Sequence, residues 1–237
     1  LRQDIDKLSA SQVASDVAES VQYQGRKTLR EGSEQRRQAI LDAALRIIVR
    51  DGVRAVRHRA VAAEAAVPLS ATTYYFKDIN DLITDTFALF VERSAAHMSA
   101  FWIGVEAQFQ QLLAGLTDDD ESRRQLIEQC VEVAITYVRT QLSDNRDNLL
   151  AEQAFRLETL LNPGLVELAV AQRKILLQGV TRFFRVLGSA QPDEDAQMLT
   201  GIILQLEYQG LLNGLDNLPV DDMRALLRRY LRLVMGL

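Results

Sequence analysis

The stretch Val56–Ile83, VRHRAVAAEAAVPLSATTYYFKDINDLI, decides the fold. It reads as two short helices, a tight turn and the entry to a third helix, which is the layout of a helix-turn-helix. The first helix is expected over about Arg57–Ala65, with Val61 and Ala62 facing inward. Arg57, His58 and Arg59 gather at its N-terminal end, where positive charge favours a phosphate. The turn falls at Ala66 and Val67, and the second helix is expected over about Leu69–Phe76. Its side chains Ser70, Ala71, Thr72 and Thr73 are small enough to let a helix sit deep in a groove, and Tyr74 and Tyr75 follow. On spacing alone, two packed helices with Tyr74, Tyr75 and Phe76 as core aromatics fit the stretch equally well. Phe76 is a core residue on either reading.

Charge placement separates the two. The chain carries a net charge of −5, yet Arg26–Lys77 holds 11 Lys/Arg against 5 Asp/Glu. Residues 1–25 hold 2 against 4, and the remainder 14 against 23. A basic module on an acidic body suits a protein that presents one end to DNA. With 237 residues, 48% hydrophobic and 25% charged, the chain can bury a substantial core. Long stretches rich in Ala, Leu, Glu, Gln and Arg, with only 12 Gly and 4 Pro, favour an all-α fold. The single cysteine, Cys130, excludes an intramolecular disulfide and fits a reducing cytoplasm. No apolar run reaches membrane-spanning length, so no membrane partner is expected.

Outward from the central stretch, Ile5, Leu8, Val13, Val17 and Val21 allow a short amphipathic helix or a frayed extension. Arg26, Lys27 and Arg30 follow as a basic arm. Ser33 can cap a helix with Ile40, Ala44, Ile47 and Ile48 on one face, ended by Gly52. Its arginines Arg36, Arg37, Arg46 and Arg50 are expected to be exposed, the first two within reach of DNA phosphates. Asp78 can cap the next helix, whose apolar face holds Ile79, Leu82, Ile83, Phe87 and Phe90. Continued past His97 towards Trp102, that helix becomes a lever between the two regions. Thr117–Asp120 reads as a loop and helix start. Leu126, Cys130, Val133, Ala134 and Tyr137 share the next apolar face, which makes Cys130 a core residue rather than a redox sensor. A helix over about Arg146–Leu161 stops at Asn162-Pro163-Gly164, and a long helix with Val180, Phe183, Phe184 and Leu187 follows. Two final stripes, Leu199, Ile202, Ile203, Leu206 and Gly210, then Met223, Leu226, Leu227, Tyr230, Leu231 and Val234, are wide enough to close the monomer core or to meet a second copy.

The run Tyr74-Tyr75-Phe76-Lys77, followed by Asp81-Leu82-Ile83, resembles the TetR family of bacterial transcriptional regulators. The resemblance is good from Arg36 to about Phe90 and covers the rest in its general helical plan. The family usually has Gly where Ala66 stands, Ser where Pro68 stands and a basic residue where Ile79 stands; many members carry tyrosine at Thr73. The resemblance implies an N-terminal helix-turn-helix DNA-binding domain joined to a C-terminal helical ligand-binding and dimerisation domain. The expected boundaries are residues 1–32 for the extension or arm, 33–78 for the DNA-binding domain and 79–237 for the body. It also implies that Leu69, Ser70, Ala71 and Thr73 lie nearest base edges, while Arg57, His58, Arg59, Tyr74, Tyr75 and Lys77 complete the DNA contacts. Double-stranded DNA, a second copy joined through about residues 195–236 and a small-molecule effector are the implied partners. Close helix approach in the dimer falls to Gly210. Trp102, Phe109, Tyr137 and Phe155 are the candidate walls of the effector pocket. The implied mechanism is derepression, in which effector binding favours a half-site separation that no longer matches the operator.

Catalytic chemistry finds little support. The two histidines, His58 and His97, have no Cys/His metal spacing around them, and no Gly-rich phosphate loop occurs. Glu152, Glu158, Asp193, Glu194 and Asp195 read as solvated helix faces and caps. No catalytic residue, metal or cofactor is therefore expected. A helical interaction module without specific DNA binding is the main alternative, and a small-molecule enzyme a lesser one.

Overall fold

The computed structural model describes residues 23–25, 31–114 and 119–237, the side chains at 31 and 106–114 excepted. The proposed terminal helix before residue 23, the arm residues Arg26, Lys27 and Arg30, and the candidate pocket residue Phe109 lie outside that description. Among the described residues the chain is all-α, with nine α-helices and no strand. They are α1 (Glu31–Asp51), α2 (His58–Glu64), α3 (Leu69–Tyr75), α4 (Ile79–Ala114), α5 (Asp120–Asp144), α6 (Arg146–Leu161), α7 (Val166–Val186), α8 (Pro192–Asn213) and α9 (Val220–Val234). No helix among them is long and apolar enough to cross a membrane.

The chain folds into two compact units. The first runs through His97 and takes in Leu150–Arg173; the second comprises Met98–Leu149 and Lys174–Leu237. In the first unit, Ile40, Leu41, Ala44, Ile47 and Ile48 recur at helical spacing along α1 and are buried. Gly52 ends the helix with a φ of 82°, a left-handed value that glycine adopts without a steric penalty. Ser33 does not cap α1. It lies inside the helix, and its hydroxyl instead pairs with that of Tyr75 at 2.8 Å. Asp78 does act as expected: its Oδ1 accepts from the backbone N–H of Asn80 and Asp81 at the start of α4.

Arg37 corrects the expectation most clearly. It is not a surface arginine but 5% exposed, and its Nη2 donates to Asp85 Oδ2 at 2.7 Å. The fully buried Asp85 also accepts from the backbone N–H of Gln24 at 2.5 Å and of Gly25 at 2.9 Å. The Tyr23 ring lies 4.6 Å from the Arg37 guanidinium carbon, a cation–π contact, and the Tyr23 hydroxyl donates to Glu92 at 2.5 Å. Burial, followed by the bond to Glu92, pushes the Tyr23 hydroxyl above the usual tyrosine range. Gly25 is required by close approach, since a Cβ there would stand 2.7 Å from Asp85 Oδ2 and 2.9 Å from a Phe76 ring carbon. The segment Tyr23–Gly25 is thus fastened to α1 and α4 around one carboxylate.

The second unit is built on α5. Asp119 caps it by accepting from the Ser122 N–H at 2.8 Å. Leu126, Ile127, Cys130, Val131, Ile135, Val138 and Leu142 face α8 and α9, which both pack on this helix. Two outer ion pairs set the register of α9 on α5: Arg224 to Glu132 at 2.8 Å, and Arg228 to Glu128 through two bonds of 2.6 and 2.7 Å. The Tyr230 hydroxyl donates to the Asp195 carbonyl at 2.6 Å and so ties α9 to α8.

Replacing Asp85 with Ala leaves a buried guanidinium and two backbone donors without their acceptor. The expected loss is about 3–5 kcal/mol of stability, read from urea unfolding; a loss below about 1 kcal/mol would contradict the role given to this carboxylate.

Candidate functional site

The helix-turn-helix is formed by α2 and α3, within a residue of the boundaries read from the sequence. Val61 and Ala62 are buried, as expected. The turn between the helices is a Schellman arrangement: the Val67 N–H bonds to the Ala62 carbonyl at 3.0 Å and the Ala66 N–H to the Ala63 carbonyl at 3.2 Å. Ala66 takes the left-handed position with a φ of 52°, the only positive φ outside glycine among the described residues. Pro68 then starts α3 without a side-chain cap. Thr72 and Thr73 turn their hydroxyls back onto the Leu69 and Ser70 carbonyls at 2.8 and 3.3 Å.

This turn sets the two faces of α3. Thr72, Tyr75 and Phe76 are buried, Phe76 completely. Leu69, Ser70, Thr73, Tyr74 and Lys77 are exposed along the opposite face, and Ala71 is half-buried at its edge. Leu69 is 44% and Tyr74 53% exposed, high values for large apolar or aromatic side chains. Arg57 and Arg59 are exposed and His58 half-buried. Tyr75 stands apart from the other candidate DNA contacts: it is 4% exposed, with its hydroxyl held by Ser33. Arg46 and Arg50 both bond Glu64, at 2.9 and 3.1 Å, and pin α1 to the end of α2. The exposed Arg54, which the sequence reading passed over, lies in the short turn that leads into α2.

Three of the candidate pocket residues are described. Phe155 lies in the first unit, 1% exposed, stacked on Phe87 at 4.3 Å. Trp102 and Tyr137 lie in the second and meet through Phe101, whose ring centroid is 5.2 Å from Trp102 and 4.7 Å from Tyr137. The sequence reading missed Phe101, although its place beside Trp102 was a usable signal. It also missed Gly179. A Cβ there would stand 2.0 Å from Trp102 Nε1, so only glycine leaves room for the indole. Trp102 Nε1 and Gln178 Oε1 are buried without a hydrogen-bond partner among the described residues. Cys130 is buried as expected, and burial pushes its thiol up to about 12, which leaves it protonated and unreactive at neutral pH. No group of three or more His, Cys, Asp or Glu side chains able to hold a metal ion occurs among the described residues.

The C-terminal stripes need correction. Leu206, Gly210, Met223, Leu227, Tyr230 and Leu231 are buried in the chain's own core, with Leu199, Ile202, Ile203 and Val234 packed against it. Gly210 faces Leu142 of α5, to which a Cβ would approach within 2.3 Å, so its close contact is internal. The exposed seams lie one position round each helix. On α8 they hold Met198, Gly201, Gln205, Tyr208 and Leu212, at alternating spacings of three and four; on α9 they hold Leu226, Arg229 and Leu233. An apolar arc wide enough to hold both sets lets the monomer core take the central one.

Residues 123–234 match the tetracycline repressor-like C-terminal domain. The fold is similar to that of a TetR-family member from Streptomyces coelicolor: 26% identity, a TM-score of 0.55, and coverage of 82% of this chain and 97% of that one. It is also similar to the multidrug binding protein EbrR complexed with ethidium: 27% identity, a TM-score of 0.53, and coverage of 82% and 97%. The C-terminal half of the chain and the fold are thus those of TetR-family regulators, with a helix-turn-helix ahead of a helical C-terminal domain, and the likeness supports a transcriptional regulator. A search of curated protein sequences finds no match.

Two departures from the usual TetR-family pattern now have structural counterparts. Ala66 occupies the left-handed position that the family gives to glycine, and the two Schellman bonds hold it there. Ile79, in place of a basic residue, is half-buried at the first turn of α4. Trp102 is the single tryptophan, so its fluorescence reports its seat directly. Gly179→Ala should displace the indole, shift its emission to longer wavelength and destabilise the protein by about 1–3 kcal/mol. An unchanged spectrum and stability would show that the close approach does not hold in solution.

Proposed function

We propose that this regulator is a homodimeric, sequence-specific repressor, released from its operator by a small molecule that binds the helical body. The observation that carries this reading is the two-faced α3, with Thr72, Tyr75 and Phe76 anchored in the core while Leu69, Ser70, Thr73, Tyr74 and Lys77 are presented outward. A short helix with small leading side chains, rigidly held from behind, suits insertion into a major groove. Leu69, Ser70, Ala71 and Thr73 are assigned to base edges; Arg57, His58, Arg59, Tyr74 and Lys77 are assigned to phosphates. Tyr75 supports the helix from inside through Ser33 instead of touching DNA. Residues 33–78 form the DNA-binding domain on this reading, and 79–237 the ligand-binding and dimerisation domain.

The α8 and α9 seams supply the self-association surface. Met198, Tyr208, Leu212, Leu226 and Leu233 are 45–67% exposed, and the alternating spacing on α8 suits helix packing against a second copy. Two copies related by two-fold symmetry would read half-sites about one DNA turn apart. EbrR, complexed with proflavin in one structure and ethidium in another, supports a small molecule as the effector here. Such a molecule releases DNA only if it binds the DNA-incompetent arrangement more tightly than the competent one.

Lys77→Ala should weaken binding to all duplexes alike and lower the slope of log affinity against log salt by about 1. Thr73→Ala should instead change the preference at one base pair, by about 1–3 kcal/mol. Fluorescence anisotropy on matched and mismatched duplexes separates the two; an unchanged salt slope for Lys77→Ala would remove it from the phosphate contacts. Tyr208→Glu places a charge on the seam and should convert dimer to monomer in sedimentation velocity, whereas an intact dimer would exclude the seam as the interface.

A further inference from the structure

Glu152 differs from the solvated carboxylate that the sequence suggested. It lies on α6 and is 9% exposed. Its ion partner among the described residues is Arg156, one turn along the same helix, with Nη1 at 4.0 Å and a side chain 54% exposed. A guanidinium so distant and so well solvated offsets little of what it costs to bury a carboxylate. Desolvation accordingly pushes the Glu152 carboxyl above the usual range, with Arg156 acting weakly in the other direction.

An aromatic cluster begins beside it on the same helix. Phe155, three residues on and on the same face of α6, is stacked on Phe87 at 4.3 Å and tilted against Phe90 at 5.4 Å. All four residues belong to the first compact unit. That unit therefore buries a poorly compensated negative group beside a cluster of phenyl rings. A cation supplies what a carboxylate in such surroundings lacks, and aromatic rings favour it further while excluding water.

We propose that Glu152 is the charge-recognising residue of an effector site on α6, and that the effector is an organic cation with apolar bulk. Its charge is met by the Glu152 carboxylate, and its apolar part by the Phe87, Phe90 and Phe155 cluster. The same carboxylate excludes anions and gains nothing from a neutral ligand. This assignment rests on the reading of the protein as a regulator released by a small molecule.

The test is calorimetric titration of the full chain with tetraphenylphosphonium, with the smaller tetraethylammonium, and with tetraphenylborate, an anion of the same shape as the first. At least one cation should bind while the borate does not. Glu152→Gln should weaken that cation about thirtyfold, the effect of removing one charge of a buried pair, whereas Glu152→Asp should keep the preference for cations. Glu152→Gln also removes a buried charge and should fold at least as stably as the parent in urea, so weakened binding is not unfolding. Failure of both cations to bind, equal binding of the borate, or equal affinity in Glu152→Gln would overturn the proposal. Adding the cation to the protein–DNA complex separates the two claims. Glu152-dependent binding without DNA release leaves the cation site standing and removes its effector role. Release of DNA by another small molecule, with no cation bound, leaves the effector reading standing and removes this site.

Discussion

One buried carboxylate organises the DNA-reading unit. Asp85 sits on α4, accepts from Arg37 on α1 and from the backbone N–H groups of Gln24 and Gly25, and is closed off from solvent. Opposite charges inside a protein hold only when geometry and additional hydrogen bonds offset the loss of water. Here three donors converge on two oxygens, and the arginine lies over two aromatic rings, Tyr23 at 4.6 Å and Phe76 at 5.8 Å. The pair therefore joins α1, α4 and the segment before α1, and it abuts Phe76, the residue that ends α3. What α3 presents outward depends on that anchoring from within.

The same logic explains why the helix-turn-helix tolerates unusual residues. Ala66 in the left-handed position is a local strain of about 1–2 kcal/mol relative to glycine, offset by the paired Schellman bonds and by the burial of Val61 and Ala62 on one side and Thr72 and Tyr75 on the other. Local sequence preference yields to tertiary packing where the packing is dense. The two threonine hydroxyls that turn back onto the α3 carbonyls satisfy themselves locally, so the core face of this helix carries no stray polar group.

Much of this was legible in the sequence because the signals were local. Asp78 and Asp119 announced helix starts, Asn162-Pro163-Gly164 announced the end of α6, and α2 and α3 were bounded by their turn residues. What was not legible depended on distant partners. Arg37 reads as one more surface arginine until Asp85, 48 residues on, is brought beside it. Glu152 reads as solvated because nothing nearby in sequence tells which side of α6 faces inward. The C-terminal stripes were found, but core and outer seam were not separated, since an arc that can serve both gives one broad apolar signal. Gly179 was invisible for a similar reason, its meaning lying in the Trp102 indole of another helix.

The central claim is that α3, held from behind by this packing, reads DNA sequence as part of a symmetric pair. Its most direct test is selection of duplexes from a random pool by the purified protein, followed by titration of the enriched sequence at two salt concentrations. Enrichment of a two-fold symmetric motif, with half-sites about one helical turn apart and affinity falling as salt rises, is the predicted result. A folded protein that enriches no motif, and binds every duplex alike, would contradict it.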